Sequence, residues 1–62
     1  MNITPELIKK ARIALGRTQE SMAEVIGTTR NTWARWEQGA TTPSPIFRKS
    51  LEKLIKYTGV DR

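Results

Sequence analysis

The feature that most constrains the fold of this chain is a repeated pair of helix-boundary signals. Each of four short segments has a Thr or Ser at its start and a Gly at its end. Thr and Ser are preferred as helix N-caps because their side-chain oxygen accepts a bond from a free backbone N–H. Glycine often ends a helix because it adopts positive φ without strain. The four bracketing pairs are Thr4 and Gly16, Thr18 and Gly27, Thr29 and Gly39, and Ser44 and Gly59. This pattern predicts four helices, at about 5–15, 18–26, 30–38 and 45–58.

Apolar residues recur at helical spacing inside these segments. We expect the first helix to turn inward Leu7, Ile8, Ala11, Ala14 and Leu15. In the second helix the inward residues are mostly Met22, Ala23, Val25 and Ile26. The inner stripe of the fourth helix is Phe47, Ser50, Leu51, Leu54, Ile55 and Thr58. No segment alternates with period two, so the sequence predicts an all-α compact bundle of four short helices, with a fifth left open.

Size and residue types argue against an enzyme. The chain has 62 residues, which is enough for one domain over residues 1–62. A chain of this mass buries about 60% of its surface on folding, which supports one small core and leaves little room for a deep cleft. It has no Cys and no His, and its six acids are scattered. The usual metal ligands and the usual general base are therefore missing, and we expect no catalysis, no metal and no cofactor.

The charge balance points to a polyanionic partner. Eleven Lys and Arg residues against six acids give a net charge of +5, with a pI near 10.3. A domain this basic suggests nucleic acid first and an anionic membrane surface second. No apolar run approaches the roughly 18 residues needed to cross a bilayer, and the first residues lack the pattern of a secretion signal. We therefore expect a cytoplasmic protein. Binding to a membrane surface is disfavoured because the aromatic residues are expected to point inward, whereas an interfacial helix would expose them.

The connection between the second and third helices narrows the choice of function. It consists of Gly27, Thr28 and Thr29, a three-residue turn with glycine first. That is the geometry of a helix-turn-helix, in which the second of the two helices lies in the DNA major groove. Ala23 is small enough to let the two helices cross closely. Met22 and Ile26 are placed to form apolar contacts between these helices and the core.

The third helix has one apolar and one polar side. Trp33 and Trp36, three residues apart, are expected in the core rather than as platforms for stacked bases. The opposite side bears Asn31, Ala34, Arg35 and Gln38, with Arg30 at its edge and no acid. Asn can form a bidentate pair with adenine and Arg with guanine, and a small residue such as Ala can approach a thymine methyl. This side therefore suits the reading of base edges.

Residues 12–39 resemble the helix-turn-helix of the Cro/cI-like (Xre) family of repressors, and with the flanking helices the resemblance covers most of the chain. The matching residues are Arg12, Gly16-x-Thr18-Gln19, Ala23, Gly27 and Trp36-Glu37-Gln38-Gly39. The segment from Asn31 to Arg35 also resembles the recognition helices of some antitoxins that repress their own operons. The resemblance implies a lambda-repressor-like DNA-binding domain.

The resemblance also implies roles for single residues. The resemblance implies base contacts for Arg30, Asn31 and Arg35. Ala34 on the same side is a further candidate, because its small side chain can approach a thymine methyl. Contacts with the DNA backbone are expected from Thr18, Gln19, Thr29, Thr32, Gln38 and Arg48. Arg12 and Glu37 match a partly buried ion pair that ties the first helix to the end of the third.

Taken together, these features predict a transcriptional regulator that binds double-stranded DNA sequence-specifically, and a repressor in particular. A domain this small reads few base pairs, so we expect a homodimer on an inverted repeat whose half-site centres lie about 10 bp apart. Candidate interface residues lie around the fourth helix and the tail, including Tyr57 and Val60. The alternative is an antitoxin or adaptor that mainly binds a protein, such as a toxin or the transcription machinery. Phage repressor, restriction–modification controller and antitoxin stay open, as do repression and activation.

Overall fold

The computed structural model describes residues 2–62, which form four α-helices. They are α1 (Pro5–Ala14), α2 (Gln19–Ile26), α3 (Arg30–Gln38) and α4 (Pro45–Thr58). The all-α prediction is confirmed, and the bounds differ from those predicted by one residue at the end of α1 and at the start of α2. At those places Leu15 and Thr18 serve as caps rather than as helical residues.

Three of the four predicted N-caps make the expected hydrogen bond. The hydroxyl oxygens of Thr4, Thr18 and Thr29 each accept a bond from the backbone N–H three residues on, at 3.1 to 3.2 Å. Ser44 differs: its extended backbone occupies the N-cap position of α4, but its side chain accepts no bond from the helix. The start of α4 therefore relies on Pro45, whose fixed φ suits the first helical position and which has no N–H to satisfy.

Two glycines fix the ends of α2 and α3. Gly27 has φ of 94°, and the N–H groups of Gly27 and Thr28 both donate to the carbonyl of Ala23, at 2.9 and 2.8 Å. Gly39 has φ of 76°, and a Cβ built there would lie 3.4 Å from Cγ of Pro5. The end of α3 thus lies against the start of α1.

All four helices contribute to the core, with α2 packed on α3 and α1 packed on both α3 and α4. Its buried hydrophobic residues are Ile8, Ala11, Met22, Ala23, Trp33, Trp36, Leu51 and Ile55. The Trp33 and Trp36 rings are 5.6 Å apart between centroids, and Trp36 is 5.3 Å from Phe47, both within the range of favourable aromatic pairs. The prediction that both tryptophans belong to the core is confirmed.

Two residues predicted to face inward are exposed, namely Ala14 and Val25. Each precedes an inward side chain, Leu15 or Ile26, by one residue, which is about 100° of rotation around a helix. Val25 is also two residues, or about 200°, from the buried Ala23. Both residues lie in the last turn of their helix, where the neighbouring Leu15 or Ile26 packs against the core instead.

Among residues 2–62, no helix has the length and apolar character needed to cross a lipid bilayer.

Candidate nucleic-acid interface

The outer side of α3 presents a polar surface opposite the two tryptophans. Arg30, Asn31, Arg35 and Gln38 are exposed, and Ala34 among them is half-buried. We call this surface, formed by these five residues, the α3 face. Its basic residues are Arg30 and Arg35, while Glu37, the one acid in α3, is turned into the protein. The structure thus places all predicted base-contacting residues on one side of one helix.

The N-cap residues of α2 and α3, Thr18 and Thr29, both use their side-chain hydroxyl group in capping. Thr29 accepts the N–H of Thr32 and donates its own hydroxyl proton to Oγ1 of Thr32, at 3.0 Å. Because Thr32 accepts in that bond, its hydroxyl can still donate to a further acceptor. At the start of α2, Thr18 accepts the N–H of Ser21, while Arg17 donates to the Ser21 hydroxyl at 2.9 Å.

The remaining predicted backbone contacts lie on three different elements. Gln19 is half-buried at the first position of α2, and Gln38 is exposed at the last position of α3. Arg48 is half-buried in the first turn of α4. The contacts of these three residues with the DNA backbone stay predictions.

A buried carboxylate joins α1, α2 and α3. The Nε of Arg12 donates to Oε2 of Glu37 at 2.7 Å and its Nη2 donates to Oε1 at 3.3 Å. Nε2 of Gln19 donates to the same Oε1 at 3.2 Å, and the indole N–H of Trp33 donates to Oε2. The Glu37 side chain is 5% exposed and that of Arg12 is 17% exposed. We call these four residues the Glu37 network.

Glu37 is held in its charged form by this arrangement. Burial by itself raises the pKa of the carboxyl group, but hydrogen bonds from Arg12, Trp33 and Gln19 outweigh it and leave the pKa below its ordinary value of 4.5. A carboxylate that accepts several hydrogen bonds favours ionisation in this way. At neutral pH the group is therefore an anion matched by the guanidinium of Arg12.

The ion pair between Arg12 and Glu37 is present as the family resemblance implies, but the sequence did not reveal the other two members of the network. Trp33 and Glu37 are four residues apart on one helix, a spacing that brings side chains together and could have been noticed. Gln19 lies 18 residues from Glu37, and only the packing of α2 on α3 brings them together.

Within residues 2–62, no cluster of three or more acidic side chains could hold a metal ion.

The family model described as helix-turn-helix matches residues 8–62. The chain belongs to the Cro/cI-type (Xre) helix-turn-helix family. Its four-helix domain has the lambda-repressor-like fold, with α2 and α3 as the helix-turn-helix pair. The family assigned from the sequence is thereby confirmed.

Three relatives are similar in sequence to this chain. An uncharacterised HTH-type transcriptional regulator of Methanothermobacter thermautotrophicus is 39% identical over 49 residues, which cover 79% of this chain and 71% of the relative. The antitoxin MqsA of Escherichia coli is 36% identical over 55 residues, or 89% of this chain and 42% of the antitoxin. The type II methyltransferase M.MspI of a Moraxella species is 35% identical over 52 residues, or 84% of this chain.

The chain spans 12% of the length of the methyltransferase and 42% of the length of the antitoxin, so most of each relative lies outside the region of similarity. No solved structure gives a significant match. The comparisons establish a DNA-binding helix-turn-helix domain of the kind found in transcriptional regulators.

Proposed function

We propose that this domain is a sequence-specific repressor that binds double-stranded DNA as a homodimer on an inverted repeat. The observation that carries the proposal is the α3 face, which exposes Arg30, Asn31 and Arg35 together and presents no acid. Arg and Asn are the side chains best suited to bidentate pairs with guanine and adenine in the major groove. In this proposal α3 lies in that groove and supplies most of the discrimination among sequences.

Contacts with phosphates supply most of the affinity in this proposal. They come from Gln19, Thr18 and the first turn of α2, from Thr29 and Thr32 at the start of α3, and from Gln38 and Arg48. A net charge of +5 favours this role. The domain acts by binding rather than by catalysis, and it acts in the cytoplasm, where it meets its operator.

The proposal of a homodimer rests on the small size of the domain and on the two-fold symmetry of an inverted repeat. One α3 reads only a few base pairs, so two copies on adjacent major grooves are needed for a specific site. Tyr57 on α4 is 81% exposed and is a candidate contact, whereas Val60, in the turn after α4, is half-buried.

The experiment that tests DNA binding compares two variants with equal loss of charge. Arg30→Ala with Arg35→Ala removes both basic side chains of the α3 face, while Lys53→Ala with Lys56→Ala removes two exposed lysines of α4. Binding to duplex DNA is measured by fluorescence anisotropy over a range of salt concentrations. We expect the α3 variant to lose far more affinity than the α4 variant, and equal losses would contradict the proposed orientation.

A second candidate function is that of an antitoxin, whose main partner is a protein. It is supported by the similarity of 89% of this chain to part of a protein named as an antitoxin. An antitoxin that represses its own operon would also bind DNA through α3. The two roles separate when duplex DNA binding is measured without any partner protein: a domain that binds no DNA alone favours the protein-binding role.

A further inference from the structure

The side chain of Gln19, at the start of the helix-turn-helix, is hydrogen-bonded to Glu37 near its end. Gln19 is the first residue of α2, and its carboxamide donates to Glu37 in the last turn of α3, at 3.2 Å. The carboxylate it contacts is 5% exposed and is fixed in turn by Arg12 and Trp33. A surface glutamine would otherwise rotate among several rotamers, whereas this one is hydrogen-bonded to a buried carboxylate that Arg12 and Trp33 also contact.

The chemistry of the acceptor fixes which way the carboxamide points. An ionised carboxylate only accepts hydrogen bonds, so the NH₂ group of Gln19, and not its carbonyl, must face Glu37. One N–H is used in that bond, and the second N–H of the same nitrogen is directed away from Glu37. Gln19 as a whole is half-buried, so part of the residue is accessible to solvent.

The backbone leading into α2 is fixed by the same ion pair. Nη1 of Arg12 donates to the carbonyl oxygen of Arg17 at 3.0 Å, two residues before Gln19. Thr18, between them, caps α2 through its bond with the N–H of Ser21. Main chain and side chain at the start of α2 are therefore both tied to the pair formed by Arg12 and Glu37.

We propose that Glu37 is a positioning residue for DNA binding, which orients the carboxamide of Gln19 so that its second N–H donates to a DNA phosphate. The inference rests on the proposed function, in which Gln19 contacts the DNA backbone. Glu37 does not touch the DNA, because a carboxylate would repel a phosphate and this one is buried. Its effect is to limit the conformational entropy that Gln19 would lose on binding.

The sign of the charge effect makes the proposal testable. Replacing Glu37 by Gln removes a negative charge from a DNA-binding domain, which by itself strengthens binding to DNA. A loss of affinity in Glu37→Gln therefore cannot come from net charge. Glu24, which is exposed on α2, provides the matched control, and Glu24→Gln is expected to bind as tightly as the wild type or more tightly.

The experiment is a double-mutant cycle of Gln19→Ala and Glu37→Gln. Binding to a 20-bp duplex of mixed sequence, about two helical turns long, is measured at low salt by anisotropy, with folding checked by circular dichroism. A phosphate contact needs no particular sequence, so no operator is required. We expect each single variant to lose about five- to tenfold in affinity, and the double variant to lose no more than either single one. Ile55→Val, a change in the core away from the network, controls for lowered stability.

Losses that multiply in the double variant would overturn the proposal, and so would a Glu37→Gln variant that binds as tightly as the wild type. Either result would be seen in a protein that binds DNA. A wild-type domain that binds no duplex would instead overturn the proposed function.

A measurement on the wild type keeps the proposal testable if Glu37→Gln does not fold. The two side-chain amide protons of Gln19 and the carboxyl carbon of Glu37 are followed by NMR as duplex is added. We expect one amide proton of Gln19 to shift while the other proton and the Glu37 carbon stay in place. Movement of both protons together with the Glu37 carbon would show that the bond breaks on binding, and would overturn the proposal.

Discussion

Nε of Arg12 lies 2.7 Å from Oε2 of Glu37, so that the third turn of α1 is tied to the last turn of α3. The two residues are 25 positions apart in sequence, and the bond closes the domain around its core. An ion pair on the protein surface adds little to stability. This pair differs, because the side chain of Glu37 is almost fully buried. Removing one partner leaves the other charge in a poorly solvated place.

The first prediction concerns this ion pair. Arg12→Met should lower the free energy of unfolding by about 3 kcal/mol, because it leaves the buried Glu37 carboxylate without its counter-charge. The measurement is urea denaturation at pH 7, followed by circular dichroism. Lys53→Met removes an exposed lysine from α4 and should change stability by less than about 0.5 kcal/mol. Equal losses in the free energy of unfolding for the two variants would show that the ion pair does not stabilise the fold.

The second prediction concerns pH. The pKa of Glu37 is lower in the folded protein than its ordinary value of 4.5, so the unfolded chain takes up a proton first as pH falls. The stability supplied by this group is therefore complete above the ordinary pKa and is lost as pH falls from there through the folded-state pKa. Urea denaturation between pH 7 and pH 3 should show a smaller loss of stability in Glu37→Gln than in the wild type. Identical pH profiles would contradict a depressed pKa for Glu37.

The third prediction concerns the turn between α2 and α3. A Cβ added at Gly27 meets no atom within 4 Å, so the effect of Gly27→Ala comes from backbone strain at φ of 94° rather than from a clash. We expect Gly27→Ala to cost about 1–2 kcal/mol. Gly27→Asn should cost less, since Asn tolerates the left-handed conformation better. If Ala and Asn destabilise equally in urea denaturation, strain at this φ is not the cause.

The fourth prediction separates the reading of bases from contact with the backbone. Arg35→Ala should reduce discrimination at one base position by about 1–3 kcal/mol, because a bidentate pair is lost. Gln19→Ala should weaken all sequences alike, because a phosphate contact carries no base information. Both are measured against a set of duplexes that differ at single positions. An unchanged base preference in Arg35→Ala would remove Arg35 from the readout.

The fold was predictable from local signals because capping and helix termination depend on a few adjacent residues. Thr18 and Thr29 cap α2 and α3 as expected, and Gly27 and Gly39 end them in the left-handed conformation. Burial was less predictable near helix ends, as the exposed Val25 shows, because in a short helix one residue of rotation moves a side chain from core to solvent.

The part of the candidate site that lies on a single helix, α3, could be predicted from the sequence. The outward placement of Arg30, Asn31 and Arg35 follows from the inward placement of Trp33 and Trp36, since opposite sides of one helix are fixed by spacing. The bond from Gln19 to Glu37 was not predictable in this way. It depends on how α2 crosses α3, and neither residue type nor local spacing specifies that contact.

The most direct test of the central claim is a selection of binding sites from a random duplex library at near-physiological salt. Sequence-specific binding by α3 in a homodimer predicts enrichment of an inverted repeat with half-site centres about 10 bp apart. A result with no enriched sequence, from a protein that still binds bulk DNA until salt abolishes binding, would contradict it. The affinity would then come from net charge alone.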